Sequence, residues 1–244
     1  MNEYQAHFFR KGARFLYREE STSDLQVISE VWTNDVYRVE QMLDLQLEFR
    51  TILDVGANIG AFTVLAYKCW PEAEILAVEP EEGNFSVLEA NLEANTVGVR
   101  CERYAVTDQS EGTWLNPYFG NTQIADQDDL RDTYGLDPSP WRDFAWGITG
   151  AQAGGIVQQR VPSKTLAQAL DDLVPGGEID LLKMDIEGAE LEVFRSFDDW
   201  QRVRYITMEC HSLDIPATTV YVDALSKTHD MIFVSEADVF AVRK

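Results

Sequence analysis

The chain has 244 residues, room for one large domain, and its 45% hydrophobic and 25% charged residues exclude disordered, collagenous and coiled-coil chains. Forty-two acidic residues against 20 basic ones leave a formal charge of −22, and so acidic a chain repels phosphate backbones and anionic head groups; neither a nucleic acid nor a membrane surface is an expected partner. Arginine outnumbers lysine fourteen to six, which suits either solubility at high salt or one locally acidic face.

Residues 1–50 read as an N-terminal extension packed on a core. Arg10, Lys11, Arg14 and Arg18 are interleaved with Phe8, Phe9, Phe15, Leu16 and Tyr17, as in an amphipathic or edge segment, and Leu25–Ile28 and Val36–Val39 are short β-prone runs. From 51 to 244 apolar strands and helices alternate. Ile52–Val55 is a strand; Phe62, Leu65, Ala66 and Cys69 then form a helical stripe at i, i+3, i+4, i+7 that stops before Pro71. Ile75–Val78 is a second strand, Phe85, Leu88 and Leu92 mark a helix ending near Asn95, and Val99–Val106 supplies a third strand. Residues 112–160 break the alternation. They carry Trp114, Tyr118, Phe119, Tyr134, Trp141, Phe144 and Trp146, too aromatic for a disordered linker, and read as a folded lid or substrate-binding excursion. Leu166, Ala169, Leu170 and Leu173 mark the next helix, closed by Pro175-Gly176-Gly177. Strands over 179–186, 203–208, 231–234 and 239–242, with a helix near 189–197, complete a doubly wound, mostly parallel α/β sheet.

Three cysteines without CxxC spacing, and no secretory apolar segment at Met1–Phe8, predict a reduced, cytoplasmic chain. No apolar run approaches the ~20 residues of a membrane span. His7, His211 and His229 are too scattered to announce a zinc site.

The strongest chemical signal is Asp54-Val55-Gly56-Ala57-Asn58-Ile59-Gly60, a strand running into a glycine turn that opens a helix. That arrangement lets backbone approach a nucleotide-like ligand. The spacing is not GxGxxG, and Asp54 disfavours a polyanion but suits a ligand carrying an amine and a sulfonium. Glu79, at the end of the second strand, is placed to accept both hydroxyls of a ribose.

These residues, with Val78-Glu79-Pro80 and Asn84-Phe85, then Ala105-Val106-Thr107-Asp108, then Leu182-Lys183-Met184-Asp185-Ile186-Glu187-Gly188-Ala189-Glu190, resemble the FkbM family of S-adenosylmethionine-dependent methyltransferases over about residues 25–211. The resemblance implies a seven-stranded Rossmann-like class I methyltransferase sheet with its last strand antiparallel. It implies that Gly56, Asn58 and Gly60 close on the methionine end of the cofactor, with Asp54 near its amine. Glu79 would hold the ribose, Pro80, Ala105 and Val106 would lie against the adenine, and Asp108 is either an acceptor for the adenine amine or a turn acid. Asn84 is assigned to helix capping and Tyr37 to core packing rather than to the cofactor.

Asp185 and Glu187 follow the fourth strand, at the carboxyl edge where open α/β sheets bind ligands, and are expected to flank the sulfonium and orient the nucleophile. Lys183 lies inside a buried strand and is expected to pair with an acid. The resemblance extends to Glu209-Cys210-His211, where His211 is the expected general base, the alternative being a surface loop histidine, and Glu209 either orients it or binds on the cofactor side. The site is expected to work without a metal, although Asp185, Glu209 and His211 together would offer a hard cation carboxylate oxygens. The implied activity is O-methylation of a hydroxyl on a small molecule or sugar. A non-catalytic protein that only binds the cofactor is the alternative; a nicotinamide dehydrogenase requires a third glycine where this chain has Phe62 and Thr63.

Overall fold

The computed structural model describes residues 1–8, 11–19, 21–118, 121–124, 159–211, 215–233 and 238–244. The chain opens on an antiparallel hairpin of β1 (Asn2–Phe8) and β2 (Lys11–Tyr17). Ala6, Phe8, Ala13 and Phe15 are buried, so the interleaving of bases and aromatics is the period-two alternation of strands with one covered face.

The next two β-prone runs are not strands. Leu25–Ile28 lies in α1 (Thr22–Trp32), while Val36 and Tyr37 form a turn before α2 (Val39–Asp44). Ser21 caps α1 by accepting from the Asp24 amide at 3.3 Å, and Ile28, Val31 and Trp32 form a buried stripe at i, i+3, i+4. Capping and burial of that stripe outweigh the β preference of a few apolar residues.

From residue 51 the predicted alternation follows as β3 (Thr51–Val55), α3 (Ala61–Cys69), β4 (Glu74–Val78), α4 (Glu82–Ala94) and β5 (Arg100–Glu102). The expected third strand over 99–106 is interrupted at Arg103 and Tyr104, and β6 (Ala105–Val106) leaves the main sheet. Within the predicted insertion, β7 (Thr113–Tyr118), β8 (Asn121–Ile124) and β9 (Gln159–Val161) make an antiparallel sheet of order β8-β7-β9. Phe119, Tyr134, Trp141, Phe144 and Trp146 lie outside the described residues. Next comes β10 (Ser163–Lys164), the parallel partner of β6. It leads into α5 (Leu166–Leu173), opened by a capping box of Thr165 and Gln168. The remaining elements are β11 (Ile179–Met184), α6 (Glu190–Ser196), β12 (Val203–Glu209), α7 (Ile215–Leu225), β13 (His229–Phe233) and β14 (Asp238–Arg243).

Among the described residues the central sheet has seven strands in the order β5-β4-β3-β11-β12-β14-β13. The last strand in sequence, β14, runs antiparallel to both its neighbours and the other pairs are parallel. This is the expected doubly wound sheet. Its residues alternate between two cores: Ile52, Ala77 and Leu181 pack with α1, α3, α4 and the hairpin, while Leu53, Leu76 and Leu182 pack with α5, α6 and α7. The chain starts at β3, builds outward through β4 and β5, then crosses back to β11. The switch point therefore falls between β3 and β11, and Val55 stands opposite Met184. No helix among the described residues is long and apolar enough to cross a membrane, and Cys69, Cys101 and Cys210 are free thiols.

Candidate active site

The loop after β3 and the turn after β11 meet at that switch point. Gly56 has φ +78°, and a Cβ there would lie 1.8 Å from the Asp185 carbonyl oxygen. Contact between two strand ends therefore requires glycine at this position, and Gly56 also lines the crevice beside Glu79. Gly60 precedes α3 with φ +85°, a left-handed backbone conformation that favours glycine. The Gly56 and Ala57 amides both donate to the Val78 carbonyl, at 3.0 and 2.9 Å, and this ties the loop to β4.

Glu79 follows β4 and is 4% exposed. Its Oε2 accepts from the Asn58 amide at 2.9 Å and its Oε1 from the Glu81 amide at 3.0 Å. Burial nevertheless raises its carboxyl to about 7. Glu79, Pro80, Asn58, Ala105, Val106, Asp185 and Glu187 all line one crevice, together with Tyr104 and Ile186. Asn84 also lines it and does not cap its helix. The cap is Glu81, which accepts from the Asn84 amide at 2.6 Å, while Asn84 Oδ1 accepts from Arg18 at 2.7 Å.

Two expected cofactor contacts lie elsewhere. Asp54 is fully buried, accepts from Thr63 Oγ1 at 2.5 Å and pairs with Lys183 Nζ at 3.3 Å; it lines neither this crevice nor the neighbouring cavity. It serves as the counter-ion that the buried Lys183 was expected to need. Lys183 also donates to the Gly56 carbonyl at 2.6 Å. Burial works against its charge, but Asp54 and Asp185 raise it above the ordinary lysine range. Asp108 is exposed and also outside the crevice; β6 leaves the sheet before it and carries the chain toward the surface.

A dense charged cluster occupies the carboxyl ends of β11 and β12. Asp185 Oδ2 accepts from the Tyr37 hydroxyl at 2.7 Å. Glu190, fully buried at the start of α6, accepts from the Ile186 amide at 3.1 Å and the Gly188 amide at 3.0 Å, and so folds the turn that presents Glu187. His211 donates from Nδ1 to Glu190 Oε1 at 3.0 Å. Its Nε2 stands 3.2 Å from Glu187 Oε2 and 3.9 Å from both Asp185 Oδ1 and Glu209 Oε1. Asp185, Glu187 and His211 are thus brought together, and Glu209 joins them.

The surroundings change the role expected of His211. Burial alone would lower its pKa, but hydrogen bonds to Glu187 and Glu190 and the charges of Glu190 and Asp185 outweigh it and carry it up to about 11. The four carboxylates favour the protonated ring, a form that cannot accept a proton, and this weighs against His211 as the general base. Burial, reinforced by the charge of Asp185, raises Glu209 instead to about 7, in the range where a carboxylate exchanges protons near neutrality. A stability effect follows. The folded value of His211 lies above the ordinary 6.5, so its contribution is complete below pH 6.5 and is lost as pH rises towards 11. Between about pH 7 and 9.5, below ordinary tyrosine ionisation, the Tm of the wild type is expected to fall and that of His211→Gln to stay flatter; parallel curves would exclude the effect.

Asp185, Glu209 and His211 each offer one ligand atom within 4.8 Å of the others, a set that could hold a divalent cation. A neighbouring cavity of about 110 Å3 is walled by Lys183, Asp185, Glu209 and His211 and, across from them, by Gln26, Val27, Glu30 and Tyr37 of the N-terminal extension. Sequence reasoning did not reach Tyr104 or Glu190 as parts of the site, and it weighed Tyr37 and Asn84 as cofactor contacts but preferred packing and capping for them. Glu190 had one signal, an acid opening a helix directly after the Asp185–Gly188 motif, but that reads equally as a charge on the helix dipole.

The chain matches the Methyltransferase FkbM domain family over residues 54–233. It is 31% identical over 212 residues to methyltransferase sdnD of Sordaria araneosa, covering 80% of this chain and 78% of that protein. It is 28% identical over 252 residues to 31-O-demethyl-FK506 methyltransferase FkbM of Streptomyces tacrolimicus, covering 96% and 87% respectively. Methyltransferase 1 of Beauveria bassiana is 27% identical over 168 residues, covering 65% of this chain and 63% of the relative.

Proposed function

Given that the chain belongs to the FkbM methyltransferase family, we propose that it transfers a methyl group from S-adenosylmethionine to a hydroxyl of a small organic acceptor. When bound, that cofactor supplies an electrophilic methyl on a sulfonium. The observation that carries the reading is Asp185: one oxygen is held by Tyr37, and Oδ1 is buried, accepts no hydrogen bond among the described residues and has the His211 Nε2 as a cationic neighbour only at 3.9 Å. A carboxylate oxygen left without a donor in a low-dielectric site is costly alone and is compensated by a cationic ligand. The crevice chemistry fits the rest of the group. Glu79 offers a carboxylate suited to two ribose hydroxyls, and Pro80, Ala105 and Val106 offer apolar walls to a flat ring.

In this reading Glu209 takes the proton of the acceptor hydroxyl, while His211 stays protonated and holds Glu187 and Glu190 in place. The relative from Streptomyces tacrolimicus is named for an O-demethyl substrate, which supports oxygen as the acceptor atom. Formation of S-adenosylhomocysteine against a panel of hydroxylated small molecules tests the proposal. Glu209→Gln is expected to lower turnover by about 10²–10⁴-fold, the usual contribution of a general base, with cofactor binding unchanged. Transfer to amines or thiols but never to hydroxyls would overturn the acceptor. Tight binding with a blank panel would favour a protein that only binds the cofactor. Chelation is expected to leave turnover unchanged; activity lost on chelation and restored by Mg2+ would instead make Asp185, Glu209 and His211 cation ligands.

A further inference from the structure

Tyr37 is the residue through which the N-terminal extension reaches the charged cluster. It lies in the turn between α1 and α2, is 6% exposed, and is held from three sides. Its ring packs edge-on against Phe62 of α3, with centroids 5.3 Å apart at 80°. Lys183 Nζ of β11 stands 5.1 Å from the ring centroid. Its carbonyl accepts from Thr207 Oγ1 of β12 at 3.0 Å, and Thr207 is itself buried. With its ring held by α3 and β11 and its carbonyl by β12, Tyr37 turns its hydroxyl to Asp185 Oδ2, donating at 2.7 Å. Burial and the charge of Asp185 keep the phenol well above its ordinary range, so it remains a donor at working pH. Lys183 is more distant from the same oxygen, at 4.0 Å, and is engaged with Asp54 and Gly56.

We propose that Tyr37 is a positioning residue for Asp185. By holding Oδ2 it fixes the carboxylate rotamer that leaves Oδ1, which accepts no hydrogen bond and has His211 Nε2 only at 3.9 Å, available to the cationic sulfur of the cofactor. The inference rests on the cofactor reading above and adds to it a role for residues 1–50, which then supply part of the electrostatic machinery as well as a wall of the cavity. A carboxylate positioned in this way distinguishes S-adenosylmethionine, which is charged at sulfur, from S-adenosylhomocysteine, which is not.

That distinction can be measured without knowing the acceptor. Calorimetry on the full chain is expected to show that Tyr37→Phe weakens S-adenosylmethionine binding about tenfold and S-adenosylhomocysteine less than about twofold, the size of one charge-assisted hydrogen bond. Asp185→Asn should produce the same selective loss, and Tyr37→Phe should add nothing in that background. Equal weakening of both ligands would mean that Tyr37 only supports the fold, and unchanged affinities would mean that it does neither; each result overturns the inference. If Tyr37→Phe does not fold, Thr207→Val, which releases the Tyr37 carbonyl, is expected to reduce the preference in the same direction, and an unaltered ratio overturns the inference. Wild-type protein that binds neither ligand would overturn the cofactor reading itself, an outcome distinct from the others.

Discussion

Replacing Glu79 with alanine is expected to weaken S-adenosylhomocysteine binding by about 10²–10⁴-fold. Two hydrogen bonds from ribose hydroxyls to a charged acceptor are worth about 1.5–3 kcal/mol each, and their sum corresponds to that range. The same substitution removes the acceptor for the Asn58 and Glu81 amides, so the loop lining the crevice loses its tether as well. Glu79→Gln separates the two contributions, since it keeps one acceptor and the side-chain volume. Burial raises Glu79 to about 7, and only the ionised form accepts from both hydroxyls. Affinity in the wild type is therefore expected to rise between about pH 6 and 8, and to be flat across that window in Glu79→Gln. Calorimetry at three pH values checks both. Unchanged affinity in Glu79→Ala would remove the cofactor assignment.

The second large effect is on stability and needs no ligand. Lys183 is 2% exposed and Asp54 fully buried, and their ion pair is 3.3 Å long inside the sheet at the switch point. Lys183→Met keeps the volume of the stem but leaves a buried carboxylate without its counter-ion. Breaking such a pair from one side costs about 3–5 kcal/mol. For a chain of this size that lowers Tm by roughly 6–20 °C. The double variant Lys183→Met/Asp54→Asn retains an acceptor for Thr63 without the unpaired charge and is expected to recover at least half of the loss, a coupling that thermal denaturation of the four proteins measures directly. A single Lys183→Met variant that melts with the wild type would show that the pair contributes nothing to the fold.

The two results bear on different residues of the same motif. Asp54 and Glu79 both read as cofactor acids in a linear inspection, because each is an acid at the end of an apolar strand. Their surroundings separate them: Asp54 faces inward onto Lys183 and Thr63, while Glu79 opens on the crevice. His211 shows the same dependence on context. One histidine beside one glutamate suggests a neutral base, whereas four surrounding carboxylates favour the protonated ring. Tyr37 is separated from Asp185 by 148 positions, and no local pattern links them.

Local patterns were sufficient for most elements of the central sheet and its helices from residue 51 onward. The short apolar run of Ile52, Leu53 and Val55, the helical stripe from Phe62 to Cys69 and the glycine breaks each encode an element through short-range sterics and periodicity, and the order of those elements leaves few ways to build a doubly wound sheet. They failed at α1, where cap and core burial override a weak β preference, and at α7, which carried no clear stripe. The crevice and its location at the strand ends also follow from the order of the motifs. Which acid is a counter-ion, which histidine keeps its proton, which glycine serves packing and which tyrosine steers a carboxylate were decided only once β3, β4, β11, β12 and the N-terminal extension came together. Those properties depend on dielectric, distance and unsatisfied hydrogen-bonding capacity, and such quantities arise between segments that are remote along the chain.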